Sequence, residues 1–436
     1  MKKLYYTNTE KALNSISALS ALFVVSPVIF QPIRSELVFS VALLFSLVVY
    51  FKKFPIPNGL ITIFTCVMVL QWLHHTNNPQ YFVALARLGQ IDWFYGLLWP
   101  LRALITFFIV GIVLNTIVTA RFFLVALSVS PLISLVLIAG HTTSSIFMST
   151  SHEVFNSLSG RFNGLHSNPN YFAFSILGCL SVSLFALSNS ARLQISRRKA
   201  YVIYFSAVVS VALLALSSSR GALIALAGTG VVIVSSGLLY FFSKKIGSIR
   251  GSSLVKIRSL VLASSFFLFL FGGGLLVIVS ETASARILDL FSGSGGGRYA
   301  IWEAVFQVFR EATLADKIFG LGVGYFPSFG LTGKGNWIHN SYLTIAFDYG
   351  LFGVLLLFVV IFVVARRAYK SSFHYSGILL LPLLLFALSN DIFYNIEFWI
   401  FTSIIFNLNN ITESSYTSAP RQAQYFGEKA YSTINH

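Results

Sequence analysis

The stretch GLTGKGNWIHNSYLTIAFDYGLFGVLLLFVVIFVVA, residues 330–365, decides the fold. Its opening, up to Asn340, is loosened by glycines and carries a histidine; from residue 341 onward the chain is almost continuously apolar. A helix of about 20 apolar residues crosses the hydrocarbon core of a bilayer. Residues 341–365 therefore predict a membrane helix with a short polar segment at its mouth.

The rest of the chain has the same character. Over 436 residues, 56% are hydrophobic, 10% are charged and the mean hydropathy is +0.77, too little polar surface for a water-soluble globule. Apolar runs fall at about 11–30, 37–51, 56–73, 93–118, 122–141, 169–187, 200–216, 221–242, 259–279, 341–365, 376–391 and 394–410. They are continuous, whereas a transmembrane barrel would alternate apolar and polar positions. The expected fold is an all-α polytopic membrane protein with about 12 transmembrane helices. The first run carries Pro27 and leads into QPIRSE, with no small-residue cleavage site, so it reads as a first span and not as a signal peptide. Residues 1–411 form one membrane domain in this reading, and 412–436 a polar cytoplasmic tail.

Orientation follows from the basic residues. With both termini in the cytoplasm, most of the 30 Lys and Arg fall on that side, among them Lys52, Arg121, Arg197, Arg198, Lys244 and Arg366. The net charge of +16 is then topology, and no nucleic-acid partner is expected. Cys66 and Cys179 both sit inside predicted helices and suggest neither a disulfide nor a metal site.

The longest non-spanning segment, 280–340, lies on the outer face in this topology, where exposed machinery is expected. Within it, RYAIWEAVFQVFREA places Ile301, Val305, Val308, Phe309 and Ala312 on one face of a helix. Such a helix suits either lying flat on the membrane surface or packing against the bundle.

Four outer-face residues stand out as candidates for chemistry. Arg220, in LSSSRGALIALAG, sits at a turn between two spans with almost no loop. Arg298 follows SGSGGG and opens the amphipathic helix, where bare backbone N–H groups and a helix N-terminus favour an anion. Arg161 lies in SGRFNGLHSNPNYFAF, whose Asn168 and Pro169 read as an N-cap and a first helical residue. His339, in NWIHNSYLT, offers an imidazole able to accept a proton near pH 7, with His166 and His152 as competitors in no better context. Taken singly, Arg220, Arg298 and His339 have plainer explanations, a snorkelling arginine, a flexible glycine linker and a structural histidine, while the helix-start reading of NPN leaves Arg161 unexplained. The chain has no Asp-x-Asp pair, Walker loop, HExxH or GxSxG. Neither a metal nor another cofactor is expected, and several arginines with one histidine suit a diphosphate bound without metal.

Five segments, GRFNGLHSNPNYFAF, SSSRGALIALAG, GGGRYAIWEAV, DKIFGLGVGYF and HNSYLTIAFDYGLFG, together resemble the O-antigen ligase and polymerase superfamily of bacterial envelope glycan assembly. The resemblance covers about 155–365. It implies about twelve spans in the bacterial inner membrane, both termini cytoplasmic, a large late periplasmic loop and a periplasmic active site. It further implies metal-independent transfer of a glycan from an undecaprenyl-diphosphate-linked donor, His339 acting as base and Arg220 and Arg298 binding the diphosphate. Arg161 becomes a further diphosphate contact, and Asn340 and Tyr342 become substrate-side neighbours of His339. Gly333 and Gly335 would let the preceding loop move over the substrate. A ligase, passing glycan to lipid A-core, is placed slightly ahead of a polymerase, passing it to another lipid-linked glycan. A lipid-linked glycan transporter is the reading from another class; Arg102, Asp348 and Glu397 are the charges placed within spans, nearer their outer ends than the midplane a transport path requires.

Overall fold

A computed structural model of the chain describes residues 117–143, 155–156, 161–164, 168–230, 298–322, 338–371, 373–393 and 397–407, with isolated positions at 106, 110, 114, 166 and 395. The expected spans at 11–30, 37–51, 56–73 and 259–279, most of those at 93–118 and 221–242, and the tail at 412–436 lie outside the described residues. So do His152, Gly333, Gly335 and the side chain of Arg161.

The helices α1 (Ile117–Thr143), α2 (Pro169–Ser188) and α3 (Arg197–Ser217) pack mutually, α2 also packs on α8 (Phe373–Ala387), and α7 (Ser341–Ser371) packs on α8. Among the described residues, four segments are long and apolar enough to cross a membrane: Ala120–Ala139, Pro169–Ser188, Arg197–Ser217 and Ser341–Arg366. The chain is a multi-pass membrane protein, and its side-chain distribution is that of one. In α3 the outward side carries Tyr201, Val202, Tyr204, Phe205 and Val208, while the buried side carries Ser206, Ala207 and Ser210. A soluble helix does the reverse. In lipid, large apolar side chains face the acyl chains, and small residues let helix backbones approach.

α2 is the central element, and 15 of its 20 residues are buried. Its start is the expected one: Asn168 is the N-cap, its side chain accepting from the Asn170 amide, and Pro169 takes the first helical position. Two of its hydroxyls bond back to their own helix, Ser181 Oγ donating to the Leu177 carbonyl and Ser183 Oγ to that of Cys179, and Ser183 Oγ also approaches the Ser128 carbonyl of α1 at 3.2 Å. Phe174 links α2 to both α8 and a helix at 397–407, α9, through ring contacts with Phe386 and Phe401. Ahead of α2, a two-residue ladder pairs β1 (Phe155–Asn156) antiparallel with β2 (Arg161–Phe162), with Asn156 opposite Arg161. Phe162 anchors the ladder by its edge contact with Phe172.

Where the expected spans are described, their starts hold to within a few residues, and one end differs with consequences. The run at 376–391 is helical only as far as Ala387, which leaves Asp391 in the turn between α8 and α9. α7 is also two helices in succession: Gly350, at φ 62° and ψ −161°, breaks it. Its lipid-facing residues Leu351, Phe352, Leu355, Phe358, Val359 and Phe362 all follow that break. Residues 341–349 are instead wrapped in protein.

The break is filled by the loop after α6 (Leu314–Phe319), which follows α5 (Arg298–Glu311). Leu321 N donates to the Phe347 carbonyl at 2.8 Å and Gly322 N to that of Asp348 at 3.2 Å, supplying donors where the helix ladder lapses. The approach is so close that a Cβ on Gly320 would meet the Asp348 carbonyl, and one on Gly350 the Ile318 carbonyl. Both glycines also have positive φ. Gly350→Ala is therefore expected to cost roughly 1–3 kcal/mol or more, from the left-handed backbone and the lost seat together. Thermal unfolding in detergent, followed by size-exclusion fluorescence, measures it; an unchanged midpoint would show that the 320–322 loop does not seat on the break.

Candidate functional site

Charged and polar side chains gather at the turn where α7 begins. His339 precedes it with φ 56°, in the left-handed region that non-glycine residues seldom occupy. Asn340 caps α7, its Oδ1 accepting from the amides of Tyr342 at 3.0 Å and Leu343 at 3.1 Å. Ser341 Oγ donates to the Asn390 carbonyl at 2.6 Å and accepts from Ile392 N at 2.8 Å, which stitches this turn to the one after α8. Tyr342 reaches the same element: its hydroxyl donates to the Leu384 carbonyl at 3.0 Å, and its ring meets the edge of Phe393.

Asp391 is the keystone of this arrangement. Its buried carboxylate accepts from His339 N at 2.7 Å, from the Thr344 hydroxyl and from the Asn340 amide. The donors come from the first turn of α7 and the residues ahead of it, where amides have no helical partner and a negative charge is favoured. Burial pushes the Asp391 carboxyl above the ordinary carboxylate range; the Thr344 hydroxyl, His339 and the two amides pull it back.

The half-buried His339 imidazole feels both of its charged neighbours. Burial holds it below its ordinary value, Asp391 pulls it up, and Arg298 pushes it further down. The net direction favours a neutral ring, the form that accepts a proton. Arg298 arrives from α5, whose apolar face does not lie bare: Ile301 and Val305 pack with Leu321, Ile338 and Phe347, and Trp302, Val308 and Phe309 flank them. Of the two dispositions open to this helix, the structure has it packed on the start of α7.

Arg220 opens a helix at 220–230, α4, whose next residue, Gly221, lies against the turn after α8. Gly221 fits because it lacks a side chain, since a Cβ there would run into Ser389 Oγ and lie 2.6 Å from Asn390 Nδ2. The residue before it, Ser219, donates from Oγ to Asn170 Oδ1 in the first turn of α2 at 3.1 Å. The 389–392 turn thus has the SRG segment on one side and the HNS segment on the other. Arg161 lies in β2, which packs beside α3, the helix running into that SRG turn. His166, the competing histidine, is buried with its ring edge against Phe172, as an interior residue.

Asp391 is not among the residues that the sequence singles out. The signal was thin: an aspartate in LSNDIFYN at the end of an apolar run, 52 residues from the amide it caps. Asn340 and Tyr342 were singled out as substrate neighbours. The structure commits the Asn340 side-chain oxygen to the helix cap and the Tyr342 hydroxyl to a carbonyl of α8.

Residues 205–358 match the family model described as O-antigen ligase. This covers α4, α5, α6, the His339 turn and the break in α7. No curated protein matches the chain.

The two charged neighbours of His339 act in opposite directions, and so should their removal. Asp391→Asn takes away the group that raises the imidazole pKa and is expected to lower it; Arg298→Gln takes away one that lowers it and is expected to raise it. Peptide-resolved carbethoxylation of His339 against pH reads both midpoints, and shifts of the same sign would refute this geometry. Asp391→Ala, which strips buried amides of their acceptor, should also destabilise by about 1–3 kcal/mol.

Proposed function

We propose that this chain, whose residues 205–358 match the family model described as O-antigen ligase, is an inverting glycosyltransferase of the periplasmic face of the bacterial inner membrane. It moves a glycan from undecaprenyl diphosphate to an acceptor sugar hydroxyl, without metal, and the acceptor is lipid A-core. The observation that carries this reading is a base-competent histidine with Arg298, from another helix, as a charged neighbour of its ring, beside a turn that the SRG segment also borders.

His339, kept toward the neutral form by burial and by Arg298, takes the proton of the acceptor hydroxyl. The oxygen attacks the anomeric carbon from the face opposite the diphosphate, so the configuration inverts. The bond to the diphosphate breaks, and its electron pair leaves with the phosphate oxygen. Arg220 and Arg298 stabilise the charge that develops there, and Arg161 adds a contact. Arg220 has a local reason to do this. A cation at the first residue of a helix opposes the helix dipole, whereas an anion there is attracted by the dipole, the bare amides and the guanidinium together. Asp391 fixes the backbone of His339 and balances the imidazolium formed during transfer. Asn340, its oxygen engaged in the cap, meets substrate through its amide nitrogen, and Tyr342 sets the wall behind His339.

The test compares wild type with His339→Ala in a strain lacking the protein, separating lipopolysaccharide by length and extracting lipid-linked glycan. Loss of the base is expected to reduce transfer by about 10²- to 10⁴-fold, leaving bare core while long glycan collects on undecaprenyl diphosphate. Core bearing a single repeat unit would make the enzyme a polymerase instead. Unchanged banding from a folded, inserted variant would remove His339 from the chemistry and favour transport. Arg220→Lys should recover little of the loss seen in Arg220→Ala, because an ammonium cannot match a phosphate in the paired geometry of a guanidinium.

A further inference from the structure

His339 and Arg298 belong to different helices separated by a long stretch of chain, and something must fix the gap between them. The Trp302 side chain bridges it. Trp302 lies one turn beyond Arg298 on α5, and its indole Nε1 donates to the Ile338 carbonyl at 3.0 Å. Ile338 immediately precedes His339 and is itself buried, wedged among Ile301, Val305, Leu321 and Phe347. The same body is closed at its far end by the hydrogen bonds from Leu321 and Gly322 to the carbonyls of Phe347 and Asp348. α5, α6 and residues 338–349 are therefore tied at two places, and the break at Gly350 separates them from the lipid-facing part of α7.

We propose that Trp302 is a positioning residue, whose indole N–H locks the helix bearing Arg298 to the turn bearing His339 and so sets the separation of the two groups. Apolar packing holds α5 against this turn with little directional preference, and a phenyl ring would serve it nearly as well. The N–H···O=C bond is directional, and it ends on the peptide unit that leads into His339. Displacements of about 1 Å between reacting groups can lower rates by about 10²-fold. The proposal rests on the reading of His339 as a base and Arg298 as a diphosphate contact only for its kinetic consequence; the coupling itself is geometric.

The test uses full-length protein in proteoliposomes, with wild type, Trp302→Phe and Arg298→Gln side by side. Two quantities are read. One is the pH midpoint for carbethoxylation of His339, resolved by peptide mass spectrometry; its charged neighbours are Asp391 and Arg298. The other is transfer, with lipid-linked glycan extracted from a strain lacking the protein as donor. Trp302→Phe is expected to raise the midpoint in the same direction as Arg298→Gln, because Arg298 drifts from the ring. The acid limb of kcat/KM should move up with it. Its kcat should fall about tenfold while KM for the donor changes less than about threefold, since Arg220 still binds donor.

If Trp302→Phe keeps the wild-type midpoint and acid limb while Arg298→Gln moves them, Trp302 only fills space and the proposal is wrong. If Arg298→Gln moves nothing either, the two groups are not neighbours and the proposal falls with that. If the midpoint moves in Trp302→Phe while His339→Ala still transfers glycan, the coupling stands and the base assignment fails. Trp302→Tyr provides the same comparison should Trp302→Phe not accumulate in folded form, because it too removes the indole donor while keeping an aromatic ring.

Discussion

A carboxylate buried between helices is costly unless donors surround it, and around Asp391 they come from the start of α7. The amides ahead of a helix have no carbonyl within it, so they are donors in search of an acceptor. Asp391 meets two of them and the Thr344 hydroxyl at once. That one arrangement holds His339 in a left-handed conformation it would otherwise leave, joins the start of α7 to the end of α8, and puts a negative charge near the imidazole. It also depends on α8 stopping at Ala387, since a helix continued through 391 would carry the carboxylate elsewhere.

The surrounding architecture serves this turn. α2 is largely buried, Ser183 brings it close to α1, and aromatic contacts tie it to α8 and α9. Ser219 then ties the SRG segment to α2, and Gly221 seats it against Ser389 and Asn390. From the other side, the α5–α6 elbow delivers Arg298 and seals the break in α7. The membrane-crossing parts are conventional in composition.

Much of this was legible in the sequence. Continuous apolar runs specify helices in lipid, because every backbone group must be satisfied within its own segment. Asn168 and Pro169 mark the start of α2 by local geometry alone. Arg220, Arg298 and His339 stood out because a charged or titratable residue on the outer face of so apolar a chain needs a reason. The periodicity of 298–312 fixed which face of α5 is apolar, yet left open whether lipid or protein covers it. Periodicity carries no information about the partner.

What the sequence by itself determined is each long helix that lies in described residues, and the residue types that stand at their ends. Those follow from short-range physics: hydropathy, caps and charge placement. Only the tertiary structure decided that Asp391 caps the His339 turn, that Gly350 divides α7 and that α5 packs on residues 338–347. Each of these joins groups tens of residues apart along the chain, through single hydrogen bonds and missing Cβ atoms that leave no periodic trace. A pattern read along one helix cannot show which distant carboxylate its bare amides will find.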